Sequence, residues 1–312
     1  MNQSSQMRVL VTGGTGLVGK NLQEVCPSFS YLSSKDCNLL CYQETRDVFG
    51  YYRPTHVIHL AAKVGGLYMN LEHNFEMLHD NLLINMNVMK VCKELKVKNF
   101  VGCLSTCIFP DKVKYPITED QLHEGNPHKS NEGYAYGKRM LDVFCRQMNK
   151  LDGYTYRCII PTNIYGRFDN FHLKNSHVIP GLIHKCYLAK KNGTPFKVMG
   201  TGKALRQFIY VGDLAKIIKH LVQSYDGPEM NIICSVSEEE EVSIKSIVEK
   251  IAEIMEYDNI EYDTSYGDGQ YKKTVSNDKV KSILPTLKFK GIDYGLNKTI
   301  EWFCKNYENV RK

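Results

Sequence analysis

The sequence predicts an α/β protein, a doubly wound parallel sheet with a smaller α/β C-terminal lobe. Three observations predict it. Short apolar runs alternate with helix-period segments from the start, glycines cluster where the first run meets the first helix, and the alternation loosens after Pro161.

The order of elements follows the same signals. Strands are expected at Arg8 to Thr12, Phe29 to Leu32, His56 to Ala61, Phe100 to Leu104 and Tyr156 to Ile160. Helices are expected between them, from Gly16, over Glu44 to Tyr52, over Glu72 to Leu95 and over Tyr134 to Asn149. After Pro161 come a polar loop from Arg167 to Ser176, a helix from Val178 to Lys191 and a strand from Phe196 to Met199. Phe208 to Tyr210 and the helix after Gly212 read as a return to the sheet. In the segment Val242 to Met255, Ile244, Ile247, Val248, Ile251 and Ile254 form one helical stripe, which marks a core-facing helix. The expected division is residues 1–165, with 207–235 returning, as one domain, and 166–206 with 236–312 as the second lobe.

Lys and Arg exceed Asp and Glu by 40 to 34 over 312 residues, and the excess forms no long basic run. Nucleic acid is therefore not an expected partner, whereas a small polyanionic ligand suits the charge. There is no apolar span of about 18 residues, and Met1 to Met7 is a short polar lead, so neither a membrane segment nor a signal peptide is expected and the cytoplasm is the expected location. Eleven cysteines without a Cys-x-x-Cys pair fit reduced thiols. His56 and His59, three apart in a strand, should face opposite ways, and no metal site is expected.

The run from Val9 to Gly19 reads VLVTGGTGLVG. Gly13 permits a tight turn, Gly16 lets backbone approach a pyrophosphate, and Gly19 allows close packing of helix on strand. With Thr15, Leu17 and Val18 between them, this predicts a Rossmann-type dinucleotide site. About 20 residues on, a carboxylate would select NAD and a polar or cationic group NADP. The hydroxyls of Ser33 and Ser34 and the ammonium of Lys35 favour NADP(H); Asp36, if turned inward, would argue for NAD.

Tyr134 and Lys138 are four apart on a helix and share a face. A cation near a phenol lowers its pKa from about 10, so the pair is suited to exchanging a proton with a carbonyl. Tyr136 is the alternative phenol, directed elsewhere. The strand ending at Leu104 delivers Ser105 and Cys107 to the carboxyl edge of the sheet, where ligands bind in open α/β folds.

Taken together, Leu60 to Gly66 (LAAKVGG), Ser105 to Pro110 (STCIFP), Pro161 to Gly166 (PTNIYG), Asp169 to His172 (DNFH) and Asn175 to Pro180 (NSHVIP) resemble the GDP-L-fucose synthases, a family of extended short-chain dehydrogenases/reductases. The resemblance runs from the first strand nearly to the end of the chain. It implies an NADPH-dependent enzyme that epimerises a GDP-linked 4-keto-6-deoxy sugar at C3 and C5 and reduces it at C4. It further implies Cys107 as base and His177 as acid of the epimerisation, with Ser105, Tyr134 and Lys138 serving the reduction. Ala61, Ala62, Lys138, Pro161, Asn163 and His177 would join the glycine turn around the cofactor. Asn163, Lys185, Met199, Arg206 and Lys272 would meet the substrate. The family departs from this chain at Lys185, usually Arg, and Met199, often Trp. It is typically homodimeric through the helices that here begin near Glu72 and Tyr134. Two other readings stay open at this point: a GDP-mannose 3,5-epimerase type without net reduction, and a non-catalytic NADP-binding sensor.

Overall fold

The structure, a computed structural model, describes residues 6–265, 267 and 270–312; the first five residues of the polar lead lie outside them. In chain order the first half contains β1 (Val9–Thr12), α1 (Leu17–Val25), β2 (Ser30–Leu32), α2 (Tyr42–Tyr52), β3 (His56–His59), α3 (Leu67–Glu72), α4 (Asn74–Glu94), β4 (Asn99–Cys103), α5 (Glu132–Met148) and β5 (Thr155–Pro161). The second half contains β6 (Asn163–Tyr165), α6 (Val178–Asn192), β7 (Phe196–Met199), β8 (Leu205–Arg206), β9 (Phe208–Tyr210), α7 (Val211–Gln223), β10 (Asn231–Cys234), β11 (Val242–Ser243), α8 (Ile244–Ile254), β12 (Ile260–Asp263), α9 (Asp278–Ile283) and α10 (Ile292–Lys305).

Six strands form the parallel central sheet in the order β2, β1, β3, β4, β5, β10. The fold class is the expected one. Because successive strand residues face opposite ways, Leu10, Val57, Phe100 and Tyr156 enter the core on one face of the sheet. Their neighbours Val9, Val11, Ile58, Val101 and Ile159 enter the core on the other. Both faces are covered by helices, which is why these strands read as continuous apolar runs rather than as alternating ones. From β1 the chain goes to one side for β2 and to the other for β3, so the crevice of the sheet opens between the carboxyl ends of β1 and β3.

A third core, from Tyr165 to Val310, gathers α6, α8 and α10. Ile247, Val248 and Ile251 of the α8 stripe are fully buried in it, with Ile244 and Ile254 at its margin.

Two expectations are corrected. The helix expected from Glu72 to Leu95 is two helices, α3 and α4, parted at His73, whose backbone (φ −128°, ψ 38°) leaves the helical region. Asn74, just beyond the break, accepts the Gly133 N–H at 2.6 Å and so holds the start of α5. The strand Phe208 to Tyr210 does not rejoin the central sheet; it pairs in parallel with β6 in a separate two-stranded sheet. The sixth central strand is instead β10, which hydrogen-bonds along β5 after α7 has crossed back. Among the described residues no helix is long and apolar enough to cross a membrane.

Candidate active site

The glycine turn occupies the crevice. Gly13 has φ +70°, and a Cβ there would stand 2.7 Å from the Ala61 nitrogen, so β1 and β3 close up only with glycine at this position. At Gly19 a Cβ would stand 2.5 Å from the Gly13 carbonyl oxygen, which enforces the close helix–strand packing. Gly16 caps α1 without a side chain, so the first N–H groups of the helix are left facing the opening.

A cleft of about 1630 Å³ runs from this turn to the second lobe. Gly13, Thr15, Gly16, Leu17, Val18, Gly19, Ser34, Ala61, Ala62, Pro161 and Asn163 line it. Lys35 does not; it is exposed, and its backbone N–H is donated to the Ser33 hydroxyl at 3.2 Å. Asp36 is likewise turned into its own loop, where its carboxylate accepts the Ser33 N–H at 2.8 Å and hydroxyl at 2.6 Å, which hold its pKa down. The carboxylate that would repel a 2′-phosphate is thus tied off, while Ser33 and Ser34 remain on the wall.

Ser105, Cys107, Tyr134, Lys138 and His177 line the same cleft. Ser105 caps a single 3₁₀ turn over Thr106–Ile108 and accepts the Cys107 N–H at 3.4 Å, so β4 ends by turning both side chains together. Tyr136 is not on the wall; its hydroxyl donates to Asn126 at 3.1 Å. His177 is the N-cap of α6. It is open to solvent along the cleft yet has protein around it, and this lowers its pKa. Burial pushes the Cys107 thiol up, and the Lys273 ammonium is the foremost influence pulling it back down, followed by the Ser105 hydrogen bond and Lys138.

The expected cation-lowered phenol is not found. Burial raises the Tyr134 pKa well above its ordinary value, with Cys107 and Cys103 adding to the effect. The Lys138 ammonium is spent elsewhere, donating to the Cys103 carbonyl at 2.8 Å, and burial lowers its own pKa.

On the second lobe Lys185, Met199 and Arg206 line the cleft. Arg206 anchors itself by donating to the Leu205 carbonyl at 2.7 Å. Asn163 donates to the Gln207 carbonyl at 3.0 Å, joining β6 to β9 at the cleft. The Lys272 ammonium lies 4.0 Å from Glu241 and above the Tyr115 ring, while its neighbour Lys273 lines the cleft. Adjacent residues of an extended segment face opposite ways, so the paired lysines announced that one would point inward without saying which.

The glycine turn, the Tyr-x-x-x-Lys helix and the six-stranded parallel sheet define a dinucleotide-dependent α/β enzyme. The chain belongs to the NAD dependent epimerase/dehydratase family, whose profile matches residues 9–234. Within that family it groups with the GDP-L-fucose synthases. It is 50% identical over 318 residues to the GDP-L-fucose synthase of Dictyostelium discoideum, covering 99% of each chain. It is 42% identical over 320 residues to a probable GDP-L-fucose synthase of Drosophila melanogaster, covering 98% of this chain and 99% of that one. The crystal structure of a GDP-L-fucose synthetase from Naegleria fowleri bound to NADP superposes with a TM-score of 0.92 at 42% identity, over 100% of this chain and 97% of that one.

Proposed function

We propose that this chain is a bifunctional NADPH-dependent 3,5-epimerase and 4-reductase that converts GDP-4-keto-6-deoxy-D-mannose to GDP-L-fucose. One observation carries the reading. A thiol, an imidazole, a phenol and a lysine line one cleft that begins at the dinucleotide turn.

The C4 ketone acidifies the C–H bonds at C3 and C5. At each centre in turn the Cys107 thiolate takes a proton from one face of the ring and His177, in its protonated form, returns one from the other through an enolate; between the two inversions the thiol gives up its proton and the imidazole regains one by exchange with solvent in the cleft. Ser105 hydrogen-bonds the C4 oxygen, and Tyr134, whose raised pKa keeps it protonated, donates the proton that the new alkoxide requires. Lys138 holds the helix register beside them. NADPH supplies the hydride; the helix α1 terminus with Thr15 and Gly16 binds its pyrophosphate, and Ser33 and Ser34 its 2′-phosphate. Ala61, Ala62 and Pro161 shape the surrounding wall. Arg206, Lys185 and Lys273 meet the diphosphate of the substrate, for which the fork of Arg206 is well formed, while Asn163 and Met199 flank the sugar and the base.

The two-lobe division stands as part of this reading. It is supported by the separate core from Tyr165 to Val310 and by the return of β10 to the central sheet. A homodimer through α4 and α5 is supported by a stripe on α4. Phe75 and Met86 are 71% and 50% exposed, Leu82 lies half-buried between them in sequence, and Met140 on α5 is exposed as well. A cytoplasmic location accords with eleven cysteines that are all free.

The test is incubation with GDP-4-keto-6-deoxy-D-mannose and NADPH. Oxidation of NADPH with an L-fucose-configured product is the expected result. An epimerised product with NADPH unchanged, or binding without turnover, overturns the reading.

A further inference from the structure

The mechanism uses no residue of β3, yet that strand carries a histidine that is completely buried. His59 is 0% exposed, its β1 partner Thr12 is 0% and Asn85 of α4 is 1%. Their hydrogen bonds form one chain. The Ala61 N–H donates to the Thr12 hydroxyl oxygen at 3.3 Å, and the Thr12 oxygen lies 2.7 Å from His59 Nδ1. His59 Nε2 lies 3.0 Å from Asn85 Oδ1, and Asn85 Nδ2 donates to the Gly137 carbonyl at 3.0 Å.

The direction of every bond is forced. Because Asn85 spends its amide nitrogen on Gly137, its oxygen faces the ring, so Nε2 must carry the proton. Nδ1 is then an acceptor, and Thr12 must donate to it while accepting from Ala61. The two ends of the chain are functional surfaces: Thr12 and Ala61 line the cleft, and Gly137 immediately precedes Lys138 on α5. A second tie runs in parallel one turn earlier on α4, where Asn81 accepts the Lys63 N–H at 3.1 Å and donates to the Lys63 carbonyl at 3.0 Å.

We infer that His59 is a positioning residue that sets the distance between the cofactor-facing wall of the cleft and the helix bearing Tyr134 and Lys138, by way of Thr12, Asn85 and the Gly137 carbonyl. The inference rests on the function proposed above. The ring must stay neutral to do this. Burial and the nearby Lys138 ammonium press its pKa down to about 3, so it holds one tautomer across the working range. The relay ends on α5 beside Lys138, away from the cap of α6 that carries His177, and it reaches the Cys107 turn only at second hand, through the 2.6 Å hydrogen bond that Arg139 of α5 donates to the Ile108 carbonyl. It therefore weighs more on the reduction than on the epimerisation.

The test compares two rates in the same enzyme, NADPH oxidation with the 4-keto sugar and solvent-deuterium exchange at C3 and C5 with NADP⁺. In His59→Phe, which keeps a ring and loses both nitrogens, oxidation should fall on the order of 10- to 100-fold, as for a displacement of about 1 Å at a reacting group. Exchange should stay within about threefold once corrected for folded protein. A parallel fall in both rates, or no fall in either, overturns the inference. If His59→Phe does not fold, Asn85→Leu breaks the chain from the other side and is read the same way. In the unmodified enzyme, ¹⁵N spectroscopy should show a neutral Nε2–H ring throughout about pH 5 to 8; an Nδ1–H ring, or titration in that range, also overturns it. Absence of both activities in the unmodified enzyme would instead refute the proposed function.

Discussion

The ammonium of Lys138 donates a 2.8 Å hydrogen bond to the carbonyl oxygen of Cys103 and lies 5.9 Å from the centre of the Tyr134 ring. The lysine thus ties α5 to the end of β4, and the phenol beside it stays protonated because burial, with Cys107 and Cys103 adding to it, raises its pKa. For a reduction this is the useful state, since the phenol has to give a proton to the C4 oxygen. Tyr134→Phe should therefore cut NADPH oxidation by roughly 10²- to 10⁴-fold while C3 and C5 still exchange with deuterium. Loss of exchange in this variant would remove the separation of roles.

Cys107 and Lys273 are coupled across 166 positions of sequence, and the coupling governs the thiolate. Burial raises the thiol pKa, so the active base grows with pH, and exchange should rise toward alkaline pH rather than plateau near neutrality. Lys273→Met removes the cation that opposes burial and should move that rise further alkaline. Exchange at neutral pH should drop about three- to tenfold and be recovered as pH is raised. A uniform drop at every pH would mean that Lys273 acts only on substrate binding. Cys107→Ala should abolish exchange at all pH.

Ser34 lines the cleft where Lys35 and Asp36 do not. A carboxylate introduced by Ser34→Asp would face a 2′-phosphate and accept a ribose hydroxyl, so KM for NADPH should rise about tenfold or more, with NADH gaining relative to it. Lys35→Ala should change KM for NADPH by less than about threefold, as expected for an exposed cation. Steady-state kinetics with both cofactors decides the matter, and a larger effect from Lys35 would return it to the site.

Asp169 is 4% exposed; one carboxylate oxygen accepts the Asn170 N–H and the other has no partner, so burial raises its pKa to about 7. The unfolded value is about 3.9. A carboxyl whose folded pKa is raised holds the proton more tightly in the folded state. It stabilises the fold fully below about pH 4, and the contribution is lost as pH rises to about 7, by at most ~4 kcal/mol. The melting temperature should fall across that window in the unmodified protein and fall less in Asp169→Asn. Parallel profiles from scanning calorimetry would show that Asp169 ionises in the folded state as it does in the unfolded one.

Much of the fold and of the site was legible without coordinates, because it is encoded over short spans. The turn from Gly13 to Gly19 and the four-residue step from Tyr134 to Lys138 are local geometry, and the delivery of Ser105 and Cys107 to the sheet edge follows from where β4 stops. The signals that misled were also local. Phe208 to Tyr210 is apolar enough for a central strand, but pairing with β6 is a long-range choice. Lys272 and Lys273 carry the same charge, and only the facing of their segment separates them.

By itself the sequence determined the elements, the dinucleotide turn and the set of groups able to do acid–base chemistry, since each depends on dihedral preferences and spacings within a few residues. Tertiary structure alone decided their electrical state. Whether Tyr134 is tuned by Lys138, whether Cys107 has a cation and whether Asp36 meets a ligand depend on burial and on neighbours far along the chain, and desolvation belongs to the packed interior rather than to any stretch of residues.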